Sequence, residues 1–246
     1  MTRPALMFKK REIIYEGKAK KIFASDDSEI VIMEYKDSLT AFNAQKIGSF
    51  DGKGKINCQI ATLIFQYLKQ KGIESHWIKN ISDTEMLVKK VKIVPLEVVV
   101  RNVLAGSTAK KFGIDEGKAL SKPLVEFYFK DDQLGDPFVS AEQIEMLGLA
   151  SESQLAKMKT LALKINRYML ELFSKVGIRL VDFKVEFGID AAGNMILADE
   201  ISPDCARLWD LNTDEKLDKD RFRRDLGKVA ESYQDVLSQL KGVVNV

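Results

Sequence analysis

The 246-residue chain predicts a two-lobed α+β protein, with a β-rich N-terminal lobe over residues 1–88 and a mixed lobe of antiparallel sheet and helices over residues 89–246. Three observations carry this. The N-terminal part shows several short strand patterns around a single helical one. A strand pattern runs from Leu180 to Gly188 with charged and apolar residues alternating. Helical periodicities surround that strand in the C-terminal part. No Gly/Ser-rich linker marks the boundary, which falls near Met86–Lys90.

Taken in order, Glu12–Tyr15 and Ala19–Phe23 read as strands flanking a bend at Glu16-Gly17-Lys18, and Glu29–Tyr35 reads as a further strand. Ile56, Ile60, Leu63, Ile64, Tyr67 and Leu68 recur at helical spacing up to a stop at Gly72, with Gly52–Lys55 as a turn before them. Glu85–Val94 is strand-like and leads through Pro95 into Leu96–Arg101. A short helix is predicted from Gly106-Ser107 to Gly113. Ser140 with Gln143, and Ser151 with Gln154, match the capping box, in which a serine and a residue three places on exchange side-chain-to-backbone bonds. The second box opens a long helix using Leu155, Met158, Ala162, Ile165, Met169, Leu172 and Phe173, ended by Gly177. Phe222, Leu226, Val229, Tyr233, Val236 and Leu240 form a helical stripe that predicts a core-packing helix.

Leu180–Gly188 is the most informative segment. Period-two alternation puts Asp182, Lys184 and Glu186 on one face and Val181, Phe183, Val185 and Phe187 on the other. A turn at Asp190–Asn194 and a second strand, Met195–Ala198, then bring Asp199-Glu200 beside Glu186. Two neighbouring carboxylates repel unless a cation lies between them. A hard divalent ion such as Mg²⁺, sharing its shell with phosphate oxygens, fits the pair Glu186 and Asp199. A solvated hairpin with cross-strand salt bridges fits it equally.

Bulk composition excludes several classes. A formal net charge of +2 gives no support for nucleic-acid or membrane binding. Two cysteines, Cys58 and Cys205, suggest neither a disulfide framework nor a zinc site. No window approaches the roughly 20 apolar residues of a membrane span, and the N-terminal apolar run is too short for a signal peptide. A cytoplasmic protein is expected. The single histidine, His76, reads as structural or exposed, which leaves catalysis to carboxylates, lysines, arginines and a metal.

Three further segments offer charge to a ligand. Lys18 and Lys20, after Gly17, project from one face if the strand begins there, and a polyphosphate would satisfy both; two edge-strand lysines on the surface fit as well. Arg101 ends a β-branched strand, and with the helix start at Gly106-Ser107 it makes a site for a phosphate monoester, against the alternative of plain N-capping by Ser107. Arg207, close after Asp199-Glu200, pairs with a substrate anion or with Asp204 or Asp210. Neither a P-loop nor a dinucleotide fingerprint is present; Gly52-Lys53-Gly54-Lys55 lacks the third glycine.

The blocks Tyr-Glu-Gly-Lys-Ala-Lys (15–20), Val-Val-Arg-Asn with Ala-Gly-Ser (99–107), Val-Asp-Phe-Lys-Val-Glu-Phe-Gly (181–188), Asp-Glu-Ile-Ser-Pro-Asp (199–204), Arg-Leu-Trp-Asp (207–210) and Asp-Lys-Asp-Arg-Phe-Arg (218–223) together resemble the SAICAR synthetase family of purine biosynthesis. The resemblance implies an ATP-binding half laid out like protein kinases and ATP-grasp enzymes. It implies a ligase that joins L-aspartate to 5-amino-1-(5-phosphoribosyl)imidazole-4-carboxylate, using ATP and Mg²⁺, in a homo-oligomer, expected to be a dimer. Carried over residue by residue, it implies that Lys18 and Lys20 contact ATP phosphates and that Met86 and Val88 lie on the adenine-binding connector. Glu186 and Asp199 would hold the metal, and Arg101, Ser107 and Arg207 the ribotide. Lys184, Asp182 and Arg207 are the implied catalytic set, with Lys184 or Arg207 steadying the reacting carboxylate and Asp182 orienting the amine or accepting its proton. Lys130 and Asp136 fall on a loop bordering the site. The chain departs from many members at Ala206, and Ser38–Asn43 follows one branch of the family. A kinase-like phosphotransferase and a non-catalytic nucleotide-binding module are the competing classes.

Overall fold

The computed structural model describes residues 8–42 and 44–244. The N-terminal run over residues 1–7, and Asn43 of the Ser38–Asn43 segment, lie outside these. Strands β1 (Ile13–Glu16), β2 (Lys20–Ala24) and β3 (Ile30–Tyr35) precede a small hairpin of β4 (Ser38–Ala41) and β5 (Lys46–Ser49). Helix α1 (Lys53–Gln70), β6 (Trp77–Asn80) and β7 (Glu85–Lys89) follow. All but the hairpin strands form one antiparallel sheet in the order β1-β2-β3-β7-β6. The second sheet is built from β8 (Lys92–Val103), β9 (Ala119–Phe129), β10 (Ile178–Ile189), β11 (Met195–Ala198) and β12 (Ala206–Asp210), in the order β11-β10-β8-β9 with β12 also on β10. Helices α2 (Gly106–Phe112), α3 (Ala141–Met146), α4 (Glu152–Lys175), α5 (Asp220–Arg223) and α6 (Val229–Lys241) complete the chain.

The chain changes sheets at Lys90-Val91, between β7 and β8. The crossing passes tightly over β10: a Cβ on Gly188 would lie 2.4 Å from Val91 Cγ2, so only glycine fits there. Pro95 sits inside β8, where the β8–β10 register shifts between Ile93↔Gly188 and Glu97↔Glu186. A proline cannot donate to a ladder, and a bulge is where a sheet tolerates it.

One apolar core runs through both sheets. It joins Val31, Met33 and Val88 of the first to Val98, Val100, Phe183 and Phe187 of the second, under α1, α4 and α6. Val181 belongs instead to a small satellite cluster with Val103, Ala105 and Trp209. Both predicted capping boxes form, at Ser140 with Gln143 and at Ser151 with Gln154. Two expectations are corrected. Helix α1 starts at Lys53, not after Lys55, with Gly52 as its left-handed N-cap. The stripe from Phe222 to Leu240 is not one helix, because left-handed backbone at Asp225, Gly227 and Lys228 separates α5 from α6 and leaves Leu226 exposed.

Candidate active site

Strand register assembles the site. Asp182 pairs with Arg101, Lys184 with Val99 and Glu186 with Glu97 across β10 and β8, while Asp182 meets Arg207 of β12 on the other side. Directly paired residues share a sheet face, so this charged row gathers over one surface. Asp182 is buried between two guanidiniums: Arg101 Nη1 donates to it at 2.6 Å and Arg207 Nη1 at 2.9 Å. Arg101 also donates through Nε to Glu126 at 2.7 Å, a carboxylate that Thr108 and Tyr128 support. Arg207 donates through Nε to Asp220 at 3.0 Å. Burial opposes the charge on both arginines, yet the carboxylates, Asp182 foremost, raise both above the ordinary guanidinium range.

Along the same row, Lys184 Nζ lies 2.7 Å from Glu186 Oε1, 3.0 Å from Asp199 Oδ2 and 3.3 Å from Glu97 Oε1. Lys130 Nζ reaches the other Glu186 oxygen at 2.5 Å. Lys20 pairs with Asp199 and lies 3.1 Å from Glu200. Burial alone would raise the Asp199 carboxyl, but Lys184, Lys20 and Lys130 outweigh it and hold it well below the usual carboxylate range. Burial likewise works against the charge on Lys184, yet Asp199, Glu186 and Glu97 raise it well above its ordinary value. Asp199 stands just past β11 with φ +61°, a left-handed conformation that costs a non-glycine residue energy and is tolerated where surrounding contacts fix it.

The charged row opens into a cleft of three adjoining compartments. The first is apolar, lined by Ile22, Val31, Met33, Val88 and Ile93, with His76 in its wall. The second holds Lys18, Lys20, Lys130, Lys184, Glu186 and Asp199. The third reaches past Arg101, Asp182 and Arg207 to Lys219 and Arg223, under the β4–β5 hairpin residues Thr40 and Phe42.

Most of the residues expected from sequence meet in this cleft. Lys18 lies in the bend before β2, not in the strand, and pairs with Asp132 at 2.7 Å; it still lines the cleft beside Lys20. Lys130 and Asp136 flank a loop at its rim. Val88 lines the apolar compartment, while Met86, two residues back on the same face of β7, is fully buried against Tyr35. Neither lies on a connector; the link between the sheets is Lys90-Val91. Ser107 is exposed, lines no compartment and makes no capping bond; the α2 N-cap is Ala105. The Gly106 N–H is already occupied by Glu116 at 2.7 Å. Arg207 pairs with Asp182 and Asp220 rather than with Asp204 or Asp210.

Several cleft residues escaped the sequence reading. Glu97 was legible in principle, since it alternates with Val99 and Arg101 on β8. Glu126 carried no local signal, and Glu200 and Lys219, although inside the blocks that carry the resemblance, had no role assigned to them. His76 is buried rather than exposed: burial pushes its imidazole down to about 3, and neither ring nitrogen has a hydrogen-bond partner among the described residues.

The SAICAR synthetase family model matches residues 13–240. Phosphoribosylaminoimidazole-succinocarboxamide synthase of Shouchella clausii is 54% identical over 237 residues, covering 96% of this chain and 99% of the relative. The protein of the same name from Bacillus mycoides is 52% identical over the same length. Among solved structures, the synthase from Ehrlichia chaffeensis superposes with a TM-score of 0.92 at 46% identity, covering 95% of this chain and 100% of that one. A SAICAR synthetase solved in complex with ADP superposes with a TM-score of 0.91 at 43% identity, covering 96% and 100%.

Proposed function

The chain belongs to the SAICAR synthetase family, and from that premise we propose that its cleft performs the family's ligation of L-aspartate to 5-amino-1-(5-phosphoribosyl)imidazole-4-carboxylate. The observation that carries this reading is the convergence of Glu186 and Asp199 on one Lys184 nitrogen, between an apolar compartment and the Asp182 guanidinium pair. ATP fits with its adenine among Ile22, Val31, Met33 and Val88 and its phosphates along Lys18 and Lys20. A related enzyme has been solved with ADP, which supports ATP as the nucleotide.

A carboxylate is a poor acyl donor, because its leaving group would be oxide. Transfer of the γ-phosphoryl group to a carboxylate oxygen breaks the bond to ADP and forms an acyl phosphate. The aspartate amine then attacks the acyl carbon, phosphate leaves, and the amine gives up a proton. Such phosphoryl transfer needs positioning and charge stabilisation above all. Lys20 and Lys184 both stay protonated, since the buried carboxylates raise them. They supply fixed positive charge beside the transferring group.

Glu186 and Asp199 also fit Mg²⁺, because they face each other as carboxylates on either side of the Lys184 ammonium, which would move aside for the ion. Among the described residues no set of three acidic, histidine or cysteine groups gathers as a metal site, so two carboxylates would share the ion with phosphate oxygens. Bound there, Mg²⁺ would neutralise phosphate charge.

Arg207 and Arg101 form the ribotide end. Asp182, whose oxygens accept from both guanidiniums, is read as the group that orients them, in place of the amine-handling role the resemblance implied. The free thiols Cys58 and Cys205 suit a reducing cytoplasm. A homodimer is the expected assembly, which sedimentation would test. The deciding assay measures ADP release with and without L-aspartate. Release that requires aspartate, together with succinocarboxamide formation, supports the ligase; aspartate-independent transfer to a hydroxyl would make the protein a kinase-like enzyme.

A further inference from the structure

The third compartment ends at a pair of cations that the reading above leaves without a task. Lys219 and Arg223 lie four residues apart across α5 and line the same wall. Positions so spaced are neighbours on a helical face, where like charges repel. Lys219 has no ion-pair or side-chain hydrogen-bond partner among the described residues, whereas the other lysines of the cleft, Lys18, Lys20, Lys130 and Lys184, are each paired with a carboxylate. Arg223 gives one nitrogen to Asp220 at 2.5 Å. Burial first, and then Arg223 and Lys53, lower the Lys219 ammonium below its ordinary value, against the pull of Asp204 and Glu200.

The same compartment also presents carboxylates, Glu200 and Asp204. Asp204 is already answered by Lys53 and Tyr233, so it is Glu200 by which a phosphate monoester would be repelled. An α-amino dicarboxylate would not: its carboxylates answer Lys219 and Arg223, while its amino group answers Glu200, which neighbours Asp199 and the phosphate-facing Lys20. We infer that Lys219, with Arg223, binds a carboxylate of the amino-acid co-substrate, so that the amine enters the reaction from the Glu200 side. This inference rests on the ligase reading.

The test is steady-state kinetics on the full chain, varying L-aspartate, ribotide and ATP in turn, for wild type, Lys219→Met and Lys219→Arg. Losing one charge-assisted contact is expected to raise the aspartate KM of Lys219→Met on the order of tenfold or more. The ribotide and ATP KM values should move less than about twofold, and Lys219→Arg should recover most of the loss. A rise in ribotide KM with aspartate KM unmoved overturns the assignment and makes the site a phosphate grip. A second measurement needs no variant: acetic anhydride labelling of wild type, mapped by mass spectrometry, with ADP and ribotide present. Succinate should protect Lys219; equal labelling with and without succinate overturns the inference. Wild type that forms no succinocarboxamide sinks the ligase reading itself, whereas normal wild-type turnover beside an unmoved aspartate KM in Lys219→Met sinks only the Lys219 assignment.

Discussion

Lys53 Nζ lies 2.5 Å from Asp204 Oδ2, and both side chains are almost wholly shielded from solvent. Lys53 opens α1, and Asp204 sits in the loop that follows Asp199-Glu200. Its other oxygen accepts from Tyr233 of α6 at 2.8 Å. The pair therefore ties α1 and α6 to the loop that carries the acidic end of the cleft.

Breaking that pair from one side strands a buried charge. Lys53→Met is expected to destabilise the fold by about 3–5 kcal/mol, and adding Asp204→Asn to recover a large part of it. Urea unfolding of the single and double variants measures both. A single variant as stable as wild type would show that the pair contributes nothing.

Glu186→Gln and Asp199→Asn each remove one of the carboxylates that meet at Lys184. Each should lower kcat on the order of a hundredfold or more at ordinary Mg²⁺, with near-UV circular dichroism unchanged. Rates within a few-fold of wild type in either variant would remove that residue from the phosphate-transfer site.

Gly106 holds φ +60°, and a Cβ there would lie 2.3 Å from Arg207 Nη2. Gly106→Ala therefore combines left-handed backbone strain of about 1–2 kcal/mol with displacement of a guanidinium. The expected result is a ribotide kcat/KM lower by on the order of tenfold to a hundredfold, with the ATP KM little changed. An unaltered ribotide kcat/KM would place the ribotide elsewhere.

His76 gives a pH signature. Its imidazole titrates near 3 in the folded protein against an ordinary 6.5, so between those values the unfolded chain binds one proton more than the native one. Stability from this group is complete above pH 6.5 and declines as pH falls toward 3, by about 1.4 kcal/mol per unit. His76→Phe should gain on wild type at that slope between pH 6.5 and 4, read by urea unfolding at several pH values. A constant difference across that range would falsify the buried neutral imidazole.

Short-range pattern made much of this legible. Alternation along Leu180–Gly188 located Asp182, Lys184 and Glu186, and the turn at Asp190–Asn194 located Asp199, because period and turn chemistry are local. Both capping boxes were readable for the same reason. What pattern could not supply was register between distant strands. Glu97 joins Lys184 only because β8 pairs with β10 in one particular phase, and Glu126 meets Arg101 only through β9. Met86 and Val88 share one side of β7, and the sequence does not say how far along that side the cleft reaches. The break at Asp225–Lys228 was hidden because Phe222 and Leu226 keep a helical rhythm across a backbone that leaves the helix.

The passage from β7 to β8 at Lys90-Val91 has little slack. Val91 rests over Gly188, and β8 then delivers Glu97, Val99 and Arg101 in step with Glu186, Lys184 and Asp182. An extra residue inserted in this passage, if carried forward into β8, would invert its phase and turn Glu97 and Arg101 toward the hydrophobic interior. The short junction thus acts as a timing mark for the catalytic surface, and insertions tolerated in outer loops should be lethal here.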